Sequence, residues 1–349
     1  MSVMRLGIDA VERGLVPDAI VRAAIRQLCR RRLRDCAVDP SVSSSRGVQS
    51  VFVESMRSGP IALLPEKANE QHYEVPPEFF GLVLGPHRKY SSCVWTPECC
   101  SLAEAEAAAL AMTCERAGLR DGQDVLELGC GWGSLSLWMA EQFPGSRITS
   151  VSNSALQRQF IESEIARREL TNLTILTADM NDFQAQPRAF DRVVSVEMFE
   201  HMRNYEMLLQ RIAGWLRPDG QLFVHHFCHR SFTYPFESRG TSDWMAQYFF
   251  SGGIMPGEDL LTLFPNDMRV ADQWRLEGTH YQRTSEAWLK NLDRHRGEVM
   301  AILKSAYGSR DAVSWFHRWR VFFLAVAELF GYRGGQEWFV AHVLLKPAV

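Results

Sequence analysis

The chain has 349 residues, of which 46% are hydrophobic and 23% charged, and its formal net charge is −3. This composition is typical of a soluble globular protein with one large domain or two modest ones. The small net charge gives no reason to expect binding to nucleic acid. No uncharged apolar run approaches the roughly 20 residues that a membrane-spanning helix needs, so stable insertion in a membrane is not expected.

The cysteines give no sign of a disulfide framework or of a metal site. None of them forms a C-x-x-C pair, and no spacing of cysteine and histidine resembles a zinc site. The first residues, MSVMRLGIDAVERG, contain no apolar segment of the kind found in signal peptides. We therefore expect no metal, a cytoplasmic location and reduced thiols at Cys29, Cys36, Cys93, Cys99, Cys100, Cys114, Cys130 and Cys228.

The first part of the chain is predicted to be mainly helical. Residues 9–38 are predicted to form one or two helices, and residues 41–50 (SVSSSRGVQS) a linker. A short helix is predicted at 76–85, which begins with a proline pair. The segment 101–119 is predicted to be a helix because Ser101 can cap it and Glu104 occupies the third helical position, with alanine dominating the rest.

From residue 124 onward, strands alternate with helices. Such alternation is typical of a parallel sheet with right-handed crossovers. The predicted fold class is therefore α/β, with a seven-stranded, mostly parallel, Rossmann-like sheet. The predicted strands are 124–129, 147–152, 173–179, 190–198, 220–228, 268–278 and 337–347, and the predicted helices between them include 134–143, 155–170 and 204–216.

The region between the fifth and the last strand departs from this alternation. Residues 229–265 are rich in aromatic residues, Gly and Pro, and 284–330 are predicted to be helical throughout. We expect them to form a lid over the carboxyl edge of the sheet, where open α/β folds bind ligands. The predicted organisation is a helical N-terminal region (1–68), an α/β core (69–228), a substrate-binding lid with the sixth strand (229–336) and the last strand of the core sheet (337–349).

The stretch ELGCGWG (127–133) follows a strand and opens a helix. Its glycines allow a ligand to approach the backbone closely, although a tight strand-to-helix turn would use them as well. A dinucleotide site is disfavoured, because Ser134 replaces the third glycine of that motif and the second strand ends in VSNS, without a carboxylate. Asp179 ends the third strand and can accept a hydrogen bond from the amine of an adenine, or alternatively serve as a turn or cap residue.

The stretch VVSVEMFEHM (193–202) ends a buried-looking strand with Glu197, Glu200 and His201. Carboxylates are rarely buried without a partner, so these residues either handle a proton or lie at a solvated strand end, where Glu200 and His201 would cap the next helix. A carboxylate can hold a cationic amine, and a histidine with a pKa near neutrality can take a proton. One of His225 and His226 is expected to face the same pocket, since strand neighbours point to opposite faces.

Several longer stretches resemble a known family. The E-x-G-x-G-x-G loop, the TAD triplet and the strand count are similar to class I S-adenosylmethionine-dependent methyltransferases, and QHYEVPPEFFGLVLG, KYSSCVW, SNSALQRQFIE and EMFEHM resemble the cyclopropane-fatty-acid-synthase superfamily. The stretches DWMAQYFFSGGIMPGEDLL, HYQRTSEAWLKNLD and VFFLAVAELFGYRGGQEWFVAHVLLK resemble its coclaurine N-methyltransferase-like branch, which acts on benzylisoquinoline alkaloids. The resemblance runs from about residue 69 to the C-terminus.

The chain departs from the lipid-modifying enzymes of this superfamily at three places. The position of their bicarbonate-binding cysteine falls on Ser92, and Glu197 stands where they have a glycine. A tyrosine of their bicarbonate site falls among Phe322 and Phe323. The bicarbonate site, which supplies the general base for alkene chemistry in those enzymes, is therefore expected to be missing here. Glu197 adds a carboxylate that they lack.

The resemblance also implies which residues form the site. Glu197, Glu200 and His201 would be catalytic, with Glu197 also holding the substrate amine. S-adenosylmethionine would be bound by Tyr90, Ser91, Gly129, Asn153, Gln157, Asp179, Met180 and Val196. An aromatic substrate wall would include Tyr73, Phe249, Trp319, Phe322, Phe323, Phe330 and Tyr332, although each of these could instead belong to the core.

The implied function is S-adenosylmethionine-dependent N-methylation (EC 2.1.1.-) of a small aromatic-bearing amine, of the tetrahydroisoquinoline or arylalkylamine type. Catalysis would combine Glu/His-assisted deprotonation of the amine with in-line methyl transfer. The alternatives are methyl or cyclopropane transfer to unsaturated acyl chains of phospholipids, and a non-catalytic adenosyl-binding protein. Ser92 and Glu197 favour the amine as the partner, and homodimerisation is left open.

Overall fold

The computed structural model describes residues 3–39, 42–44, 51–63, 75–236 and 244–348. Tyr73, which was predicted to contact substrate, and most of the predicted linker 41–50 lie outside these residues. All eight cysteines are described and all are free thiols. Within the described ranges, no helix combines the length and the apolar character needed to cross a bilayer.

A seven-stranded sheet forms the centre of the molecule, in the order β4-β3-β2-β5-β6-β10-β9. Neighbours from β4 to β6 pair in parallel, whereas β10 runs antiparallel to both β6 and β9. The predicted α/β class and mostly parallel sheet are confirmed. The strands are β2 (Asp124–Leu128), β3 (Arg147–Ser152), β4 (Leu173–Thr177), β5 (Phe190–Val196), β6 (Leu216–His229), β9 (Met268–Leu276) and β10 (Trp338–Pro347).

Helices form most of the N-terminal region and flank the central sheet. Residues 284–330 were predicted to be helical throughout, but two helices divide this region, and Gly308 interrupts the second with a φ of 80°. The helices are α1 (Val3–Glu12), α2 (Asp18–Val38), α3 (Val51–Ser55), α4 (Pro77–Val83), α5 (Leu102–Arg116), α6 (Ser134–Gln142), α7 (Ala155–Arg167), α8 (Tyr205–Trp215), α9 (Trp244–Tyr248), α10 (Gly278–Arg294) and α11 (Arg296–Phe330).

A small antiparallel sheet lies between β6 and α10 in the region predicted to form the lid. Its order is β1-β7-β8, with β1 (Ser43–Ser44) paired to β7 (Phe232–Pro235), which in turn pairs with β8 (Ile254–Met255). The pairing of β1 with β7 connects the N-terminal region to this part of the chain. Met255 of β8, Met245 of α9 and Phe322 of α11 line a cavity together with Glu197, which follows β5.

The N-terminal helices are fastened to the long helix α11. Arg320 donates two hydrogen bonds of 2.9 Å to the carboxylate of Asp18, and Arg22 bonds Glu328 at 2.9 Å. Val21 of α2 is buried in the same apolar cluster as the lid aromatics. Partly exposed ion pairs contribute at most about 1 kcal/mol each, so the buried apolar face is the main attachment.

Helix α5 begins with the capping box that the sequence predicts. The hydroxyl of Ser101 accepts from the backbone N–H of Glu104 at 3.3 Å, and the Glu104 carboxylate accepts from the backbone N–H of Ser101 at 2.9 Å. These two bonds satisfy donors that a helix start otherwise leaves unpaired. The helix leads from this cap to Arg116 at its other end.

We predict that Ser101→Ala lowers the free energy of unfolding by about 1 kcal/mol, because a helix loses its N-cap acceptor. Chemical denaturation of both proteins measures the difference. The matched control is Ser163→Ala in α7, where the hydroxyl bonds back to the carbonyl of Phe160 inside a helix and gives little net stability. Equal losses in the two variants would contradict the assigned role of the capping box.

Candidate active site

The glycine loop follows β2 and leads into α6 at the carboxyl edge of the sheet. Gly129, Gly131 and Gly133 all have positive φ, at 81°, 53° and 79°, which side chains rarely adopt. A Cβ on Gly129 would lie 2.7 Å from Met198, whereas a Cβ on Gly131 would meet nothing within 4 Å. The loop is therefore packed at its first glycine and open to a cavity at its second.

Two adjoining cavities share this loop, and the larger spans about 780 Å³, including space open to solvent. Gln157 lines both; its Oε1 accepts from Ser152 at 2.7 Å, and its buried Nε2 has no hydrogen-bond partner among the described residues. An unpaired buried donor and an open glycine backbone fit a polar ligand such as an adenosyl group. All eight predicted cofactor residues line one cavity or the other: Asn153, Asp179 and Met180 the first, Tyr90, Ser91 and Val196 the second, and Gly129 and Gln157 both.

Asp179 closes a local turn and also lines the first of these cavities. Its carboxylate accepts from the backbone N–H of Asn181 at 2.8 Å, which closes a local turn. The residue is only partly buried and also lines the first cavity. One carboxylate has room for several hydrogen bonds, so the turn does not exclude a ligand.

Glu197 lies where these two cavities, together called the adenosyl cavity, meet a third cavity with many aromatic side chains, called the aromatic cavity. Its backbone has a φ of 49°, a strained conformation for a residue other than glycine. Its carboxylate accepts from the backbone N–H of Ser92 at 3.0 Å and from the hydroxyl of Tyr281 at 2.8 Å, and its Oε1 lies 3.3 Å from Nε2 of His225. Burial raises the pKa of Glu197, while Lys89 and these donors oppose the rise.

His201 and Glu200 occupy a short 3₁₀ turn (Phe199–His201) that begins two residues after Glu197. They do not cap the next helix, since the Asn204 side chain accepts from the N–H of Met207 and caps α8 instead. His201 lines both the adenosyl cavity and the aromatic cavity. Burial lowers the pKa of His201 to about 4, below the near-neutral value expected from the sequence.

Glu200 is fully buried behind the site and lines none of its three cavities. One carboxylate oxygen accepts from the backbone N–H of Phe227 at 2.7 Å, and the other has no partner among the described residues. Burial, and then the neighbouring Glu197, raise the pKa of Glu200 well above its usual value. The geometry therefore favours a protonated, structural Glu200 over one that touches substrate.

The aromatic cavity spans about 800 Å³, including space open to solvent, and is walled almost entirely by apolar side chains. Of the predicted substrate wall, Phe322 and Phe330 line it; Phe249 stacks on Phe322 from behind, with ring centroids 4.5 Å apart. Trp319 and Phe323 are fully buried in the core instead, and Tyr332 packs against Trp338. The lining that the prediction missed consists of Phe227, Phe236, Met245, Phe250, Met255, Tyr281, Val326 and Leu329.

Tyr281 and Lys89 lie near Glu197, and neither was among the predicted site residues. Tyr281 stacks on Phe330 with ring centroids 4.5 Å apart, and Lys89 is buried, donating to Ser91 Oγ at 2.5 Å and to the Ser92 carbonyl at 2.7 Å. Both residues lie in stretches that carry the family resemblance, HYQRTSEAWLKNLD and KYSSCVW, so that signal was available.

The two histidines of β6 differ in their contacts, and neither lines the three cavities. His225 reaches the Glu197 carboxylate at 3.3 Å. His226 makes a 3.2 Å contact with the carbonyl of Phe227, and its Nε2 has no partner among the described residues. Of the pair, His225 is the one that contacts the Glu197 carboxylate.

Comparisons with known proteins give the family. A family model described as mycolic acid cyclopropane synthetase matches residues 64–331. The (S)-coclaurine N-methyltransferase of Thalictrum flavum subsp. glaucum is 40% identical over 342 residues, covering 96% of this chain and 94% of that protein. The (S)-coclaurine N-methyltransferase of Papaver somniferum is 37% identical over 339 residues, covering 96% of each.

Structural similarity extends over the same length. A crystal structure of coclaurine N-methyltransferase bound to N-methylheliamine and SAH superimposes with a TM-score of 0.91 at 35% identity, covering 99% of this chain and 100% of that one. The seven-stranded fold and the glycine-lined cavity agree with S-adenosylmethionine as the cofactor. The chain belongs to the mycolic acid cyclopropane synthetase family and is an S-adenosylmethionine-dependent N-methyltransferase similar to the coclaurine N-methyltransferases.

Proposed function

We propose that the substrate is a small amine with an aromatic body, of the benzylisoquinoline or arylalkylamine class, and that Glu197 holds its nitrogen as a cation. The observation that carries this proposal is that Glu197 is the one carboxylate among the described residues lining the aromatic cavity. The same side chain lines both parts of the adenosyl cavity. An ammonium paired with Glu197 would thus lie beside the methyl donor.

The apolar wall supports an aromatic substrate. Tyr281 and Phe330 stack at the edge of the cavity, and aromatic faces attract cations by about 0.5–2 kcal/mol. Phe227 and Phe250 form a second aromatic pair, with ring centroids 5.5 Å apart. The solved relative, coclaurine N-methyltransferase, is bound to both N-methylheliamine and SAH, which supports an amine as the substrate class of this chain.

The methyl transfer needs a nitrogen with a free lone pair, so the amine has to lose its proton. S-adenosylmethionine supplies an electrophilic methyl group when bound. Because burial raises the pKa of Glu197 and lowers that of His201 to about 4, a proton released here favours the carboxylate. We assign proton acceptance to Glu197, and to the neutral His201 a hydrogen bond that orients the amine for in-line attack.

The experiment that tests this function is transfer of a labelled methyl group from S-adenosylmethionine to a panel of tetrahydroisoquinolines, phenethylamines and tryptamines, read by mass. Vesicles of unsaturated phospholipid are assayed in parallel. We expect methylated amines and no modified acyl chains. Modification of the lipid, with every amine ignored, would contradict the proposal and favour the acyl-chain alternative.

Glu197→Gln keeps the size of the side chain and removes its charge. A hydrogen bond to a charged group contributes about 1.5–3 kcal/mol, so we expect roughly tenfold or greater weakening of the apparent affinity for the best amine. Cofactor affinity, measured by calorimetry with S-adenosylhomocysteine, should change by less than about twofold. A variant with unchanged amine affinity would remove Glu197 from the amine site.

His201 and Glu200 are predicted to respond differently. His201→Ala should lower kcat by roughly 10²-fold, because an amine that loses its orienting hydrogen bond is misplaced for in-line attack. Glu200→Gln should stay within a few fold of the parent enzyme, because an amide still accepts from the N–H of Phe227. Steady-state kinetics on one amine compares them, and a loss confined to the Glu200 variant would reverse the assignment.

We also propose that the eight cofactor-lining residues hold the adenosyl ligand, with Asp179 accepting from its amine. Asp179→Asn retains the turn to Asn181 and removes the charge, and should weaken S-adenosylhomocysteine binding by about tenfold. The matched control is Asp182→Asn, an exposed residue three positions on that does not line the cavity. Calorimetry showing equal affinities for both variants would contradict this role.

A further inference from the structure

A continuous chain of side chains leads from the Glu197 carboxylate to the end of helix α5. Oε1 of Glu197 lies 3.3 Å from Nε2 of His225 on β6. Nδ1 of His225 lies 2.9 Å from Nε2 of His342 on β10, and Nδ1 of His342 lies 3.0 Å from a guanidinium nitrogen of Arg116. The two histidines face each other in the antiparallel register of the strands.

The guanidinium of Arg116 determines which atom is the donor in each hydrogen bond of this chain. A guanidinium can only donate hydrogen bonds, so Arg116 donates to Nδ1 of His342. Burial lowers the pKa of both His225 and His342 well below the usual value, so each ring is neutral and carries one proton. That proton must lie on Nε2 in both rings, and His225 therefore donates to Glu197.

This chain of hydrogen bonds extends the electrostatic effect of Arg116 to Glu197, but it does not carry a proton out of the site. A proton leaving Glu197 would need an acceptor at the end of the chain, and a guanidinium stays protonated in proteins. What the chain does provide is a row of aligned dipoles, each donating toward the carboxylate. Hydrogen bonds of this kind polarise one another in a low-dielectric interior, and they favour the ionised form of Glu197.

Other charged and titratable groups face the chain from each element packed against it. The buried Lys89 acts on Glu197 and on both histidines, and His226 acts on both histidines. Arg116 itself lies over the ring of Trp274, 5.2 Å from its centroid. The remaining groups are Glu115 and Asp272 near Arg116, and Cys93, Glu200, His201 and Tyr281 near Glu197.

We propose that Arg116, His342 and His225 are positioning residues that hold the Glu197 carboxylate oriented and ionised for the cationic amine. Arg116 is partly exposed on the surface of α5 and is 226 positions away from His342 in the chain. None of the three lines the cavities of the site. The inference rests on the proposed role of Glu197.

The first test compares Arg116→Met with the parent enzyme in the pH profile of kcat/KM for the best amine. Glu197 must be ionised to hold a cation, so activity falls as the pH drops through its pKa. Removing the Arg116 charge raises that pKa, and we expect the acid limb to move upward by about half a pH unit or more. At a pH below the pKa of Glu197, a shift of half a pH unit corresponds to a loss of about threefold in kcat/KM.

The matched control is Arg192→Met. Arg192, on β5, is half-buried like Arg116, and it donates to the carbonyls of Ala117 and Asp191 rather than to the chain of side chains. Its acid limb should coincide with that of the parent enzyme. If the Arg116 variant also coincides with the parent, or if both variants shift equally, the proposal is overturned.

A second pair of variants separates hydrogen bonding from packing. In His342→Gln the amide can accept from Arg116 and donate to His225, whereas His342→Leu can do neither. We expect the leucine variant to shift the acid limb as Arg116→Met does, and the glutamine variant to restore at least half of the shift. Equal behaviour of the two variants would show that His342 acts only through packing.

A third readout does not depend on activity. Long-range ¹H–¹⁵N correlation spectra of histidine-labelled protein, with and without S-adenosylhomocysteine, report which ring nitrogen carries the proton. We expect neutral, Nε2-protonated rings for His225 and His342 at neutral pH. A cationic ring, or a proton on Nδ1, would overturn the chain even if amines are methylated. Intact tautomers without any amine methylation would overturn the proposed substrate alone.

Discussion

A single buried carboxylate determines how this site is built. Glu197 follows the last residue of β5 with a φ of 49°, which costs about 1 kcal/mol or more for a residue with a side chain. That turn directs the carboxylate to the junction of the adenosyl and aromatic cavities. Ser92, Tyr281 and His225 hold it there from three different segments of the chain. The surrounding elements therefore have to pack correctly before the site exists.

Burial then sets the protonation of the groups around this carboxylate. The same desolvation that raises the pKa of Glu197 lowers the pKa of His201 to about 4. A histidine that would be the obvious base in water becomes a neutral hydrogen-bonding group, and the carboxylate becomes the better proton acceptor. The aromatic wall strengthens this effect because it excludes water, and it also suits a cation that carries an aromatic body.

The sequence predicts well what is local in the chain. The glycine loop, Asp179 and the Glu197–His201 stretch each follow one strand, and strand ends meet at one edge of a parallel sheet. Which aromatic residues of α11 line the cavity was not predictable: Phe322 lines it and the adjacent Phe323 is core. A helical period gives spacing but not the partner of each face. His342 and Arg116 have no local signal, since the strand register pairs His342 with His225 and a side-chain contact from α5 adds Arg116.

The most direct measurement of the central claim is a crystal structure of the protein with S-adenosylhomocysteine and a methylatable amine. The account predicts the amine nitrogen at about 3 Å from a carboxylate oxygen of Glu197, the distance of a charge-assisted hydrogen bond. The aromatic body of the amine should contact Tyr281 and Phe330. An amine bound elsewhere, with Glu197 bonded only to Ser92, Tyr281 and His225, would contradict the account.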